Sequence, residues 1–184
     1  MKNLWVYLIY IIFLGGFSAC AADFSGGRIS GFKQLENGDI TISYGADEKT
    51  FALKDFDPTA DPYKPVATDM IRLAPDGRTL GWAVEYENCC TSYSIPLILV
   101  IYRDGRILRT IDDGMMIWDW AFRGGTQVVL QTGPTHGDAC IYGLYDIASG
   151  KQLDEAPCNN EESDTALPAW TRPLNVDHSQ EGQP

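Results

Sequence analysis

Residues 70–87, MIRLAPDGRTLGWAVEYE, decide the fold class. Two runs rich in aliphatic and aromatic side chains, 70–74 and 79–87, flank Pro75-Asp76-Gly77. Proline presets φ near the value a turn needs, aspartate folds its carboxylate onto its own backbone, and glycine accepts positive φ. Pro75, Gly77 and Gly81 would each interrupt a helix, so the stretch predicts strand, turn, strand.

The pattern continues on both sides. Runs 97–102 and 106–111 flank Arg103-Asp104-Gly105 and complete a four-stranded unit. A second unit repeats the plan with strands at 117–122, 127–132, 140–146 and 151–155, turning at Gly124-Gly125 and Ala148-Ser149-Gly150. Gly77 and Gly125 stand 48 positions apart, Gly105 and Gly150 45 apart, close to the length of a four-stranded propeller blade. Upstream, strands at 28–35 and 39–44 flank Glu36-Asn37-Gly38, where Asn-Gly supplies the positive φ angles of a hairpin. Ile40, Ile42 and Tyr44 alternate with polar residues, as a half-buried strand requires. A third strand is expected at 50–54. Residues 55–69 read as a loop, because Pro58, Pro62 and Pro65 cannot donate to a ladder and Asp55, Asp57, Asp61 and Asp69 favour water.

The fold class is therefore all-β: antiparallel, blade-like four-stranded meanders, arranged as an incomplete propeller or a β-sandwich. Residues 27–170 form one domain, with the apolar island 166–170 docking back on the sheets. Residues 171–184 read as a disordered tail.

Leu73-Ala74-Pro75-Asp76-Gly77-Arg78-Thr79-Leu80-Gly81-Trp82 resembles the "SPDGRxLAF" hairpin of WD40-like repeats in TolB-type β-propellers. Tyr145-Asp146-Ile147-Ala148-Ser149-Gly150-Lys151 is similar to the "D-x-x-S/T-G-K" hairpin that closes such blades. The resemblance covers about 70–155 and implies blade-like antiparallel sheets; it implies no particular ligand.

The chain opens MKNLWVYLIYIIFLGGFSAC: a lysine, an unbroken apolar run from Leu4 to Leu14, then small residues. That is the layout of a secretory signal peptide, 1–19, with a linker at 20–26. A cysteine after two small residues also resembles the lipobox of bacterial lipoproteins, which implies cleavage before Cys20 and lipidation of that residue. Cleavage after Ala21 or Ala22, or retention as an uncleaved anchor, are the alternatives. Each places the rest outside the cytoplasm, and the first places it in the periplasm or cell envelope, tied to a membrane by lipid alone.

A formal net charge of -11 over 184 residues argues against a nucleic-acid partner, whose phosphates require a basic surface. It also argues against adhesion of the folded part to anionic lipid.

Besides Cys20 the chain has Cys89, Cys90, Cys140 and Cys158, an even number that suggests disulfides in an oxidising compartment. Cys89 and Cys90 are adjacent, so one of them is expected to bridge to Cys140 or Cys158, leaving a free vicinal thiol. Two hairpins carry lengthened loops: Asn88-Cys89-Cys90-Thr91-Ser92-Tyr93 and Gly133-Pro134-Thr135-His136-Gly137-Asp138-Ala139-Cys140. The repeat puts them at equivalent positions, so they should emerge at the same end of the sheets, where binding sites are commonly built. Cys89, Cys90, Tyr93, His136 and Asp138 are the binding candidates, and a bridge from Cys89 or Cys90 to Cys140 would tie the loops together.

Other chemistry has weaker support. His136, Cys140 and the vicinal cysteines could ligate zinc or copper(I), but C-x-x-C and H-x-H spacings are missing, and no metal site or cofactor is assigned. A Cys–His nucleophile would need His136 as base to Cys89 or Cys90. Trp118 and Trp120 should share one strand face and, with Trp82, pack between sheets. Asp55, Asp57 and Asp61 lack the glycine and terminal glutamate of a calcium loop. Glu85 and Glu87 should share a solvated face. No catalytic residue is assigned. The sequence thus predicts an exported, lipid-anchored, non-catalytic interaction module of the cell envelope with a protein partner and scope to oligomerise. The alternative is a small envelope enzyme or metal-handling protein using Cys89 or Cys90, His136 and Cys140.

Overall fold

The computed structural model describes residues 27–56, 64–88, 92–158 and 166–174. The leader, Cys20, Asp57, Asp61, Cys89, Cys90 and the segment from Asn175 onward lie outside the described residues.

Among the described residues eleven strands form three antiparallel meanders, and none of these sheets closes on itself. The first sheet joins β1 (Gly31–Gln34), β2 (Ile40–Tyr44) and β3 (Asp47–Phe51). The second runs β4 (Pro65–Leu73), β5 (Thr79–Tyr86), β6 (Ile95–Arg103) and β7 (Arg106–Ile111). The third runs β8 (Met116–Arg123), β9 (Gln127–Gly133), β10 (Ile141–Asp146) and β11 (Gln152–Pro157). The all-β reading and its two four-stranded units are what the chain adopts.

Side-chain alternation stacks the sheets face to face. Leu80, Trp82, Val84 and Tyr86 of β5, with Val100 and Tyr102 of β6, pack against Ile40 and Ile42 of the first sheet. The opposite parity, Leu99 and Ile101 of β6, meets Ile117, Trp120, Val128 and Leu130 of the third sheet. The middle sheet is thus buried on both faces, and on its second face Gly81 leaves room for the Trp120 ring. On the far side of the third sheet, Val129, Tyr142, Leu144 and Ala156 are covered by Trp170, whose indole N–H donates to Asp154 at 2.9 Å. Trp170 belongs to a 3-10 helix, Ala169–Leu174, so the apolar island does dock, and residues 171–174 are ordered structure rather than the start of a tail. The remaining face of the first sheet carries Lys33, Thr41, Ser43, Glu48 and Thr50, which register places on one side. One end of the stack is therefore polar and the other is covered.

The repeat-related turns touch. Arg103 donates to the Gly125 carbonyl at 2.5 Å and lies 3.7 Å from Asp76, so the β4–β5 and β8–β9 turns are held side by side. Arg109 of β7 likewise donates to the Ala148 carbonyl in the β10–β11 turn at 2.6 Å.

Four local expectations differ. The third strand is β3, not 50–54: Gly45 at φ +67 begins a two-residue turn directly after β2, and Leu53–Asp55 form a 3-10 turn. The expected loop at 55–69 ends early, because β4 starts at Pro65; as the first residue of an edge strand, proline forfeits no ladder donor. In the first hairpin only Gly38 has positive φ, with Gly38 N–H donating to Leu35, so the turn is not built from an Asn-Gly pair of positive angles. Finally, Cys140 is bonded to Cys158 (S–S 2.03 Å), closing the ends of the β10–β11 hairpin. This corrects the expected bridge from Cys89 or Cys90 to Cys140 or Cys158: pairing follows the hydrogen-bonded neighbours, and Cys158 N–H donates to the Cys140 carbonyl.

Candidate functional site

Both lengthened loops border one open cleft of about 510 Å³ between the second and third sheets. From the β5–β6 loop come Tyr93 and Ser94, and from the β9–β10 loop come Pro134, Thr135 and Gly137. The expectation that the two loops share an end of the molecule is met by this geometry. His136 and Asp138 are exposed in the same loop but do not line the cleft. Tyr93, 53% exposed, is the most exposed of the large apolar side chains among the described residues.

The strands beneath contribute residues that sequence reasoning missed. β4 supplies Asp69 and Met70, β5 supplies Glu85, and β8 supplies Met116 and Trp118. Their placement depends on β-bulges. The β4–β5 register shifts between Asp69 and Arg72, and within that bulge Met70 sits at φ +51. A residue with a Cβ in the left-handed region costs on the order of 1–3 kcal/mol. The Met70 carbonyl accepts the Trp120 indole N–H at 3.0 Å, which holds the bulge in place.

A second bulge, between Ile117 and Asp119, resets alternation along β8. Ile117 and Trp120 then both enter the core, whereas Trp118 packs over Gly133, where a Cβ would come within 2.6 Å of its ring. The two tryptophans therefore do not share a face, because the bulge inserts an extra residue between paired positions. The Trp118 indole nitrogen is buried without a hydrogen-bond partner among the described residues.

The cleft is acidic. Among the described residues its carboxylates are Asp69 and Glu85, and no described lysine or arginine lines it. Ser94 donates its hydroxyl to Glu85, which fixes that carboxylate and leaves acceptor positions open. Glu85 is half-buried rather than on a solvated face with Glu87, which lies beyond the end of β5. Arg72, three residues beyond Asp69 on β4, pairs with Asp119 at 2.6 Å and lies over the Trp120 ring.

The expected metal set loses a member. The Cys140 sulfur is in a disulfide and offers no thiolate for ligation. Among the described residues no three of His, Cys, Asp or Glu are grouped to hold a metal ion.

No protein-family model, curated protein or solved structure matches the chain.

Proposed function

We propose that this chain is an exported, non-catalytic interaction module of the cell envelope, lipid-anchored at Cys20, whose cleft between the β5–β6 and β9–β10 loops receives a partner protein. The observation that carries the reading is the convergence of Tyr93 with Pro134, Thr135 and Gly137 on a single cleft. Loops set at one end of a rigid β scaffold are where recognition surfaces are commonly built. The exposed aromatic Tyr93 and the neighbouring Trp118 are the residue types that anchor protein contacts. The leader sequence supports export, and the Cys140–Cys158 bond suits an oxidising compartment.

The test is site-specific photo-crosslinking in intact cells. A photoreactive residue at Tyr93 is expected to give a discrete adduct, and one at Thr41, on the polar outer face of the first sheet, none. Adducts from neither position, or equally from both, overturn the reading. Cys20→Ser is expected to move the protein from the membrane fraction to the soluble one; unchanged retention overturns the lipid anchor.

A further inference from the structure

We infer that the segment the cleft receives is basic: an extended stretch of a partner protein that inserts a lysine or arginine side chain flanked by apolar residues. This rests on the cleft being the partner site and specifies the chemistry it selects.

Three features point the same way. The first is charge. Asp69 and Glu85 border the cleft with no cation among its described lining residues to neutralise them, on a chain of net charge -11. Arg72, on the same strand as Asp69, pairs instead with Asp119 and lies over Trp120. An acidic segment would meet repulsion here and a basic one would meet attraction, which sets both encounter rate and specificity.

The second is the wall. Tyr93 and Trp118 offer aromatic faces and Met70 and Met116 offer thioethers, all polarisable. Aromatic faces attract guanidinium and ammonium groups, and thioethers adapt to the apolar stem that such side chains carry and to apolar neighbours. A small hydrated ion would use neither.

The third is the strands themselves. β4 and β8, which both contribute residues to the cleft lining, are edge strands of their sheets. Edge strands present unpaired backbone groups to an extended chain lying alongside.

The probe is a short peptide carrying one arginine between two valines, compared with a twin in which citrulline replaces the arginine. Citrulline keeps the shape and removes the charge. With the purified protein, the arginine peptide is expected to bind about tenfold more tightly than its twin at low salt. Glu85→Gln combined with Asp69→Asn should reduce that ratio to less than about threefold, and raising the salt should shrink it in the wild-type protein. Circular dichroism of the double variant should be unchanged, which separates lost recognition from lost folding. Equal binding of the two peptides, binding of neither, or a charge preference that survives the double substitution overturns the inference. Arginine amide alone should compete far more weakly than the peptide; equal potency would replace the protein segment with a free small cation and overturn it too. A Tyr93 adduct without any charge preference would remove this inference while leaving the partner reading in place.

Discussion

The benzene edge of Trp120 rests on Gly81 of the neighbouring sheet, where an added Cβ would stand 2.5 Å from Cη2. This contact joins the second and third sheets, and the same indole donates to the Met70 carbonyl beside the cleft. Gly81→Ala should therefore force the ring or the sheet to move and destabilise the protein by about 1–3 kcal/mol. Gly31→Ala, with nothing within 4 Å of its Cβ, should stay within about 0.5 kcal/mol of wild type. Urea titration of both variants checks this.

Much of the architecture is written in local chemistry. Asp76-Gly77, Asp104-Gly105 and Ser149-Gly150 mark turns because their glycines take positive φ whatever surrounds them. The alternation in 79–86 marks a strand for a similar reason. Bulges are a different matter: the extra residues around Met70 and Trp118 answer to how two sheets fit together, and nothing in 69–72 or 117–119 announces them. The cleft was legible through Tyr93 and the 133–140 loop, whereas Asp69, Met70, Glu85 and Met116 enter it only through tertiary packing. Even spacing could not choose the cysteine pairing. The register of β10 on β11, with Ile141 opposite Pro157, does so by bringing Cys140 and Cys158 together.

That disulfide gives a direct chemical check. Peptide mapping without reduction should recover a fragment linking Cys140 to Cys158; linkage of Cys140 to Cys89 or Cys90 would contradict the structure. Replacing both Cys140 and Cys158 with serine removes a cross-link spanning 18 positions and should cost about 3 kcal/mol in a urea titration.

Asp76 helps hold the β4–β5 turn beside the β8–β9 turn through Arg103 and sets part of the acid response. Burial pushes its carboxyl up, but the Arg78 N–H, the Thr79 hydroxyl and N–H, and the Arg103 guanidinium together hold it below its ordinary 3.8. A depressed carboxylate stabilises the fold fully above its unfolded pKa, and the contribution disappears as pH falls through the lower folded value. Asp76→Asn should thus be less stable than wild type at neutral pH, and the gap should begin to narrow as pH falls below about 3.8. Thermal denaturation across pH 2–7 tests this; a gap that stays constant into acid would show that the charge on Asp76 contributes nothing.

The most direct test of the cleft as the contact surface uses its two methionines, Met70 and Met116, among only four in the chain. With methyl-labelled methionine, titration of the arginine-bearing peptide should move both resonances along one saturating curve. Resonances that stay fixed while the peptide is bound would place the contact elsewhere on the molecule.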